Sequence, residues 1–93
     1  MNKVYSISHQ LKAAERDYTP LFEAIQRSPK WHKIMDSTWF IVSSETPQQI
    51  WNRLAEHIDT KDRLLILEVT NSRYGWLAKE SWAWLREELH RPQ

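Results

Sequence analysis

The chain has 93 residues with a formal net charge of +1, 41% hydrophobic residues and no cysteine. This length fits a single domain, residues 1–93, with one modest core, and the hydrophobic content excludes an intrinsically disordered chain. The lack of cysteine excludes disulfides, a thiolate nucleophile and Cys-based zinc sites, and it fits a reducing compartment, so we expect a cytoplasmic protein.

Three further features of the composition restrict the function. The longest aliphatic run is "LLIL", far shorter than the ~20 residues of a membrane-spanning helix, and we expect no membrane partner. A single glycine excludes glycine-rich phosphate loops. Six tryptophans are more than one small core is expected to hide, so some of them are predicted to lie on a binding surface.

The first half of the chain predicts strand, helix, and one or two strands. Residues 3–8 are β-branched and aromatic, which favours a strand. A helix is predicted to follow, with Thr19 as N-cap, Pro20 at the first helical position and Pro29 beyond its end. Residues 31–44 predict one strand, or two strands around a turn at Asp36 and Ser37. The segment "TWFIV" is apolar on both faces, as in a central strand.

The second half predicts helix, strand and helix. The clearest signal is a capping box formed by Thr46 and Gln49, ahead of a buried stripe at Ile50, Leu54 and Ile58. "RLLILEVT" predicts a strand, and residues 76–90 predict a last helix. The predicted inner face of that helix consists of Leu77, Ser81, Trp84 and Leu85.

The resulting order of elements indicates an α+β, ferredoxin-like βαββαβ domain with an added C-terminal helix. In this plan two helices cover one face of an antiparallel sheet. We expect Leu64 and Ile66 on the other face, where the C-terminal helix or a partner has to cover them. This uncovered face leads us to expect a homodimer.

Four stretches resemble a known family: "VYSISHQL", "DSTWFIVSS", "TPQQIWNRLAEHID" and "KDRLLILEVT". The chain resembles the ferredoxin-like small nuclease superfamily, which includes the CRISPR spacer-acquisition small subunit and virulence-associated protein D. It is most similar to small bacterial SinR-like proteins. The resemblance implies a homodimer, and in the nuclease members an Asp at the end of strand one helps to hold a divalent metal near the twofold axis.

The tract "SISHQL" lacks that Asp. Gln10, or His9 with a shift of one residue, stands at its position, and neither carries the carboxylate that a hard cation requires. Ser8, His9 and Gln10 are therefore either a degenerate active site or an ordinary polar strand exit. Glu68 is expected near Ser6 or Ser8, as a sheet-face hydrogen-bond partner or a residual catalytic acid. We expect no catalytic residue, metal or cofactor.

Three further groups of residues remain open to two interpretations. Arg27, Lys30, Trp31 and Lys33 in "RSPKWHK" could hold phosphates and stack on a base, or form a solvated loop whose Trp packs on the core. Trp82 lies ~140° around the last helix from Leu77, off the predicted buried stripe, and is either a core residue or an interface residue. Asp59 and Asp62 are either metal ligands or turn formers.

Three functions follow from these observations. The first is a small homodimeric, non-catalytic module that binds RNA or DNA or assembles a complex. The second is a metal-dependent nuclease of the same fold, against which Gln10 argues. The third is a protein-binding regulator or inhibitor from a mobile element that uses a Trp-rich surface.

Overall fold

The computed structural model describes residues 2–90 as a four-stranded antiparallel sheet with three α-helices, in the strand order β2-β3-β1-β4. This is the ferredoxin-like α+β arrangement with a C-terminal helix that the sequence predicts. The strands are β1 (Lys3–Gln10), β2 (Lys30–Met35), β3 (Thr38–Ser43) and β4 (Arg63–Glu68). The helices are α1 (Thr19–Gln26), α2 (Pro47–Leu54), continued by a 3-10 turn at Ala55–His57, and α3 (Lys79–His90).

The predicted start of α2 is confirmed, and that of α1 is wrong by one residue. The Thr46 Oγ1 accepts a hydrogen bond from the Gln49 N–H (3.2 Å), while the Gln49 Oε1 accepts one from the Thr46 N–H (2.9 Å). In α1, Thr19 is already helical, and its N–H donates to the carboxylate of Asp17 (3.0 Å). Tyr18 therefore stands at the N-cap position without a side-chain cap, and Asp17 satisfies the free N–H of the first helical residue from outside the helix.

The face of the sheet beneath α1 and α2 (the helix face) holds the larger core. Residues of β1 and β3 pack there against aliphatic residues of both helices, and the whole group is buried. Its members are Tyr5, Ile7, Leu21, Ala24, Ile25, Trp39, Ile41, Ile50 and Leu54. Leu64 and Ile66 also pack on this cluster, so their predicted position on the other face is wrong. They lie here because they pair with His9 and Ile7, whose side chains point towards the helices.

The other face (the open face) is covered only in part, by α3. A smaller buried cluster of Val4, Ile34, Val42 and Leu85 lies under this helix. The Trp84 ring stacks on His32 and on Phe40, with ring centroids 5.6 and 6.4 Å apart. Polar contacts fix α3 at two further points, His32 Nε2 to Ser81 Oγ (2.9 Å) and Lys30 Nζ to Glu88 Oε1 (3.3 Å).

The last helix begins at Lys79, three residues later than predicted, so Trp76 and Leu77 belong to the connection that precedes it. Trp82 is partly buried against the open-face cluster, so the prediction that it lies off the buried side of the last helix is wrong. The predicted turn at Asp36 and Ser37 is present, and residues 31–44 form most of β2 together with β3. Within residues 2–90 no helix combines the length and the hydropathy needed to cross a bilayer.

Candidate functional site

The polar residues at the end of β1 do not converge on one point. Ser8 faces the open side, where its Oγ lies 3.4 Å from Thr38 Oγ1. His9 faces the helices, and Gln10 is exposed opposite Arg63 on β4. Alternation along the strand therefore separates the predicted remnant of an active site into side chains on opposite faces of the sheet.

His9 has a structural partner. The indole Nε1–H of Trp39 donates to His9 Nε2 (3.1 Å), which requires a neutral ring with its proton on Nδ1. The ring also lies against Phe22, with centroids 5.7 Å apart. Burial and then the charge of Lys33 lower the pKa of His9 below its ordinary value. The lone pair that would bind a metal or take a proton is thus already engaged.

Glu68 lies at the far end of the sheet from Ser8. It pairs with Tyr5, and its side chain lies on the helix side, whereas Ser6 and Ser8 point to the open face. Its Oε1 lies 3.5 Å from Lys3 Nζ in a half-exposed ion pair. The expected proximity of Glu68 and Ser8 is therefore wrong, because the antiparallel register places Leu65 opposite Ser8.

Asp62 holds the segment before β4 in place. Its carboxylate accepts hydrogen bonds from the Lys12 N–H (2.8 Å), the Tyr18 hydroxyl (2.7 Å) and the Asp59 N–H (2.7 Å). Desolvation opposes ionisation, but these donors together lower the pKa of Asp62. Within residues 2–90 no group of three or more His, Asp or Glu side chains could hold a metal ion. The contacts of Asp62 match the turn-forming role.

The basic stretch "RSPKWHK" is divided between the two faces of β2. Trp31 and Lys33 pair with Ile41 and Trp39 and share the helix side of this edge strand. Lys30 points to the open face, where Glu88 holds it. Arg27 is exposed directly after α1. It lines a different depression, with Ser28 and Arg53. We call Trp31 and Lys33 the β2-edge patch.

Trp31 joins a row of rings at this edge. Its centroid lies 5.6 Å from that of Trp39, which stacks on Phe22 at 5.8 Å. The Lys33 ammonium lies 5.4 Å from the Trp39 ring centroid and 5.9 Å from that of Phe22. Trp31 is nevertheless 43% exposed. It is thus supported by the core and open to solvent, a combination that neither sequence interpretation anticipated.

The open face carries a second candidate surface, beside α3. Leu65 and Leu67 of β4 are 56% and 54% exposed, and Tyr74 and Trp76 in the connection to α3 are fully exposed. A groove of about 340 Å³ runs between this connection, Phe40 and Trp82. Sequence patterns predict neither Tyr74 nor Trp76 as a surface residue: Trp76 is expected to begin the last helix, and no pattern distinguishes Tyr74 within the turn before it. Trp82 lines the groove without protruding from it.

No protein-family model, curated protein or solved structure matches the chain.

Proposed function

We propose that the chain is a non-catalytic complex-assembly module that forms a homodimer through β4 and the adjoining open face. The observation that carries the proposal is an edge strand that is apolar on both sides. Leu64 and Ile66 pack on the helix-side core, while Leu65 and Leu67 remain more than half exposed. Interior strands have this composition, whereas edge strands usually carry charges or Pro that discourage pairing.

The backbone of β4 supports the same conclusion. The Val69 N–H donates to the Val4 carbonyl (2.8 Å), and bonds to β1 recur at alternate residues of an antiparallel strand. Odd-numbered residues of β4 therefore bond to β1, and Leu64 and Ile66 direct their N–H and C=O groups outwards. No other strand within residues 2–90 pairs with this edge.

A second copy of the chain is the partner that fits. Two β4 strands can pair antiparallel about a twofold axis normal to the sheet, which keeps each face on its own side. The exposed leucines of both copies then form one continuous strip, and Leu64 and Ile66 extend the helix-side core across the junction. The family resemblance also implies a homodimer.

The contacts at the end of β1 support a role without catalysis. His9 is engaged by Trp39, Asp62 accepts several hydrogen bonds, and Gln10 carries no carboxylate. A nuclease would need acidic side chains that are free to hold a cation. Because the side chains of His9 and Asp62 already have hydrogen-bond partners within the chain, we favour assembly over catalysis as the function.

Light scattering coupled to size-exclusion chromatography tests the dimer. We expect the wild-type protein to show twice the chain mass of 11.3 kDa at micromolar concentration. The double variant Leu65→Gln/Leu67→Gln should be monomeric with an unchanged circular dichroism spectrum, since both side chains are mainly exposed. Trp51→Gln is the matched control, because Trp51 is 37% exposed on α2. A wild-type mass near 11.3 kDa, or a dimer insensitive to the double variant, contradicts the proposal.

A further inference from the structure

We infer that the β2-edge patch binds single-stranded nucleic acid, with one unpaired base stacked on Trp31 and the adjoining phosphate held by Lys33. This inference concerns a surface at the opposite edge of the sheet from β4 and does not depend on the dimer.

Trp31 has the properties of a stacking platform. Its contact with Trp39 holds the indole in place, while 43% of the residue remains in solvent. A ring already fixed by the core loses little conformational freedom when a flat ligand stacks on it. Base stacking on aromatic side chains is favourable for every base, because each presents a π-face.

Lys33 supplies the charge beside this ring. Residues two apart on one face of a strand are separated by roughly 7 Å, so the indole and the ammonium can contact neighbouring parts of one nucleotide chain. Within residues 2–90 Lys33 forms no ion pair with a carboxylate, and its ammonium lies over the rings of Trp39 and Phe22. No carboxylate therefore competes with a phosphate for this charge, whereas Lys30 is held by Glu88.

The charge of the chain favours single strands over duplex. A net charge of +1 provides no long-range attraction, so backbone contacts alone cannot hold a duplex tightly. Stacking has to supply most of the affinity, and it requires bases whose faces are accessible. Unpaired bases meet this condition, and the stacked bases inside a duplex do not.

Fluorescence anisotropy of a labelled single-stranded oligonucleotide, compared with a duplex of the same sequence, tests the inference. We expect the single strand to bind at about 50 mM salt with a shallow salt dependence, and the duplex to bind at least tenfold more weakly. Trp31→Ala should weaken single-strand binding by roughly 5- to 150-fold, the range that corresponds to loss of one stacked base. Trp31→Phe should retain part of the affinity.

Two matched controls make the result specific. Trp51→Ala removes a similarly exposed indole on α2, and Lys30→Gln removes the β2 lysine of the opposite face; both should bind as the wild type does. Lys33→Gln should lower the slope of log K against log salt by about one. Thermal melting and circular dichroism establish that each variant is folded.

Three outcomes overturn the inference: no binding of any oligonucleotide at low salt, equal affinities of the Trp31→Ala and Trp51→Ala variants, or duplex binding as tight as single-strand binding. The variant Leu65→Gln/Leu67→Gln keeps the net charge and should bind one single strand per chain. A wild-type monomer that still binds through Trp31 would therefore refute the dimer and leave this inference intact.

Discussion

The two faces of the sheet are built in different ways. On the helix face, aliphatic residues of α1 and α2 pack on β1 and β3 and are almost completely buried. On the open face, α3 is held by stacked rings and polar contacts, and exposed leucines remain at β4. We therefore expect burial on the helix face to supply most of the stability of the domain. The open face fixes the position of one helix and leaves apolar side chains of β4 exposed.

The polar anchors of α3 explain why its coverage is incomplete. The side of α3 that meets the sheet buries two polar residues, Ser81 and Glu88. The corresponding side of α2 buries the aliphatic residues Ile50 and Leu54. The partners of the two polar residues, His32 and Lys30, belong to β2. A helix positioned by contacts with β2 lies over that side of the sheet, so β4 on the opposite edge remains uncovered.

The largest expected effect comes from the core on the helix face. Ile50→Ala should destabilise the domain by about 3 kcal/mol, because the closely packed neighbours cannot close the cavity. Leu85→Ala, the matched change on α3, should cost about 2 kcal/mol, since the adjoining groove lets the open-face cluster relax. Urea denaturation followed by circular dichroism gives both values. A larger loss for Leu85→Ala would reverse the proposed difference between the faces.

The next largest effect concerns the free energy of local opening, which should be lower in α3 than in the central strands. Amide exchange in the native state should show α3 opening at a free energy about 2 kcal/mol below that of β1 and β3, because few buried apolar contacts hold it. Trp84→Ala, which removes the stacks on His32 and Phe40, should lower the α3 value further and leave the central strands unchanged. Equal opening energies in α3 and in the central strands would show that the two faces fold as one unit.

The pH dependence tests the polar contact inside the helix face. The pKa of His9 lies below its ordinary value of 6.5 in the folded protein, first because of burial and then because of Lys33. The unfolded chain therefore takes up the proton first, so this contribution to stability is complete above about pH 6.5 and is lost as pH falls through the folded pKa. His9→Gln keeps an acceptor for the Trp39 N–H but does not titrate. We expect its stability to change less than that of the wild type between pH 7 and pH 5, and an identical change would contradict the account.

Much of the fold could be predicted from local patterns in the sequence. The capping box at Thr46 and the run "TWFIV" each determine an element through nearby residues, and the order of elements then indicates the ferredoxin-like plan. The homodimer, the nucleic-acid contact and the interface role of Trp82 remain predictions.

The surfaces were less predictable because they depend on register. The alternation in "RLLILE" shows that Leu64 and Ile66 share a face, but only the pairing with β1 determines that this face meets the helices. Likewise, treating "RSPKWHK" as a loop concealed the alternation that places Lys30 and Trp31 on opposite sides of β2. The exposure of Trp76 depends on where α3 begins, which no local signal fixed.

Amide hydrogen exchange at β4 is the most direct test of the dimer. The Leu65 and Leu67 backbone groups bond to β1 in both the monomer and the dimer, so their amides should be protected in any folded chain. The amides of Leu64 and Ile66 point away from β1 and become protected only when a second strand pairs with the edge. We predict protection at all four positions in the wild-type protein, with loss at Leu64 and Ile66 alone in the double variant Leu65→Gln/Leu67→Gln. Fast exchange of the Leu64 and Ile66 amides in the wild-type protein would contradict the account.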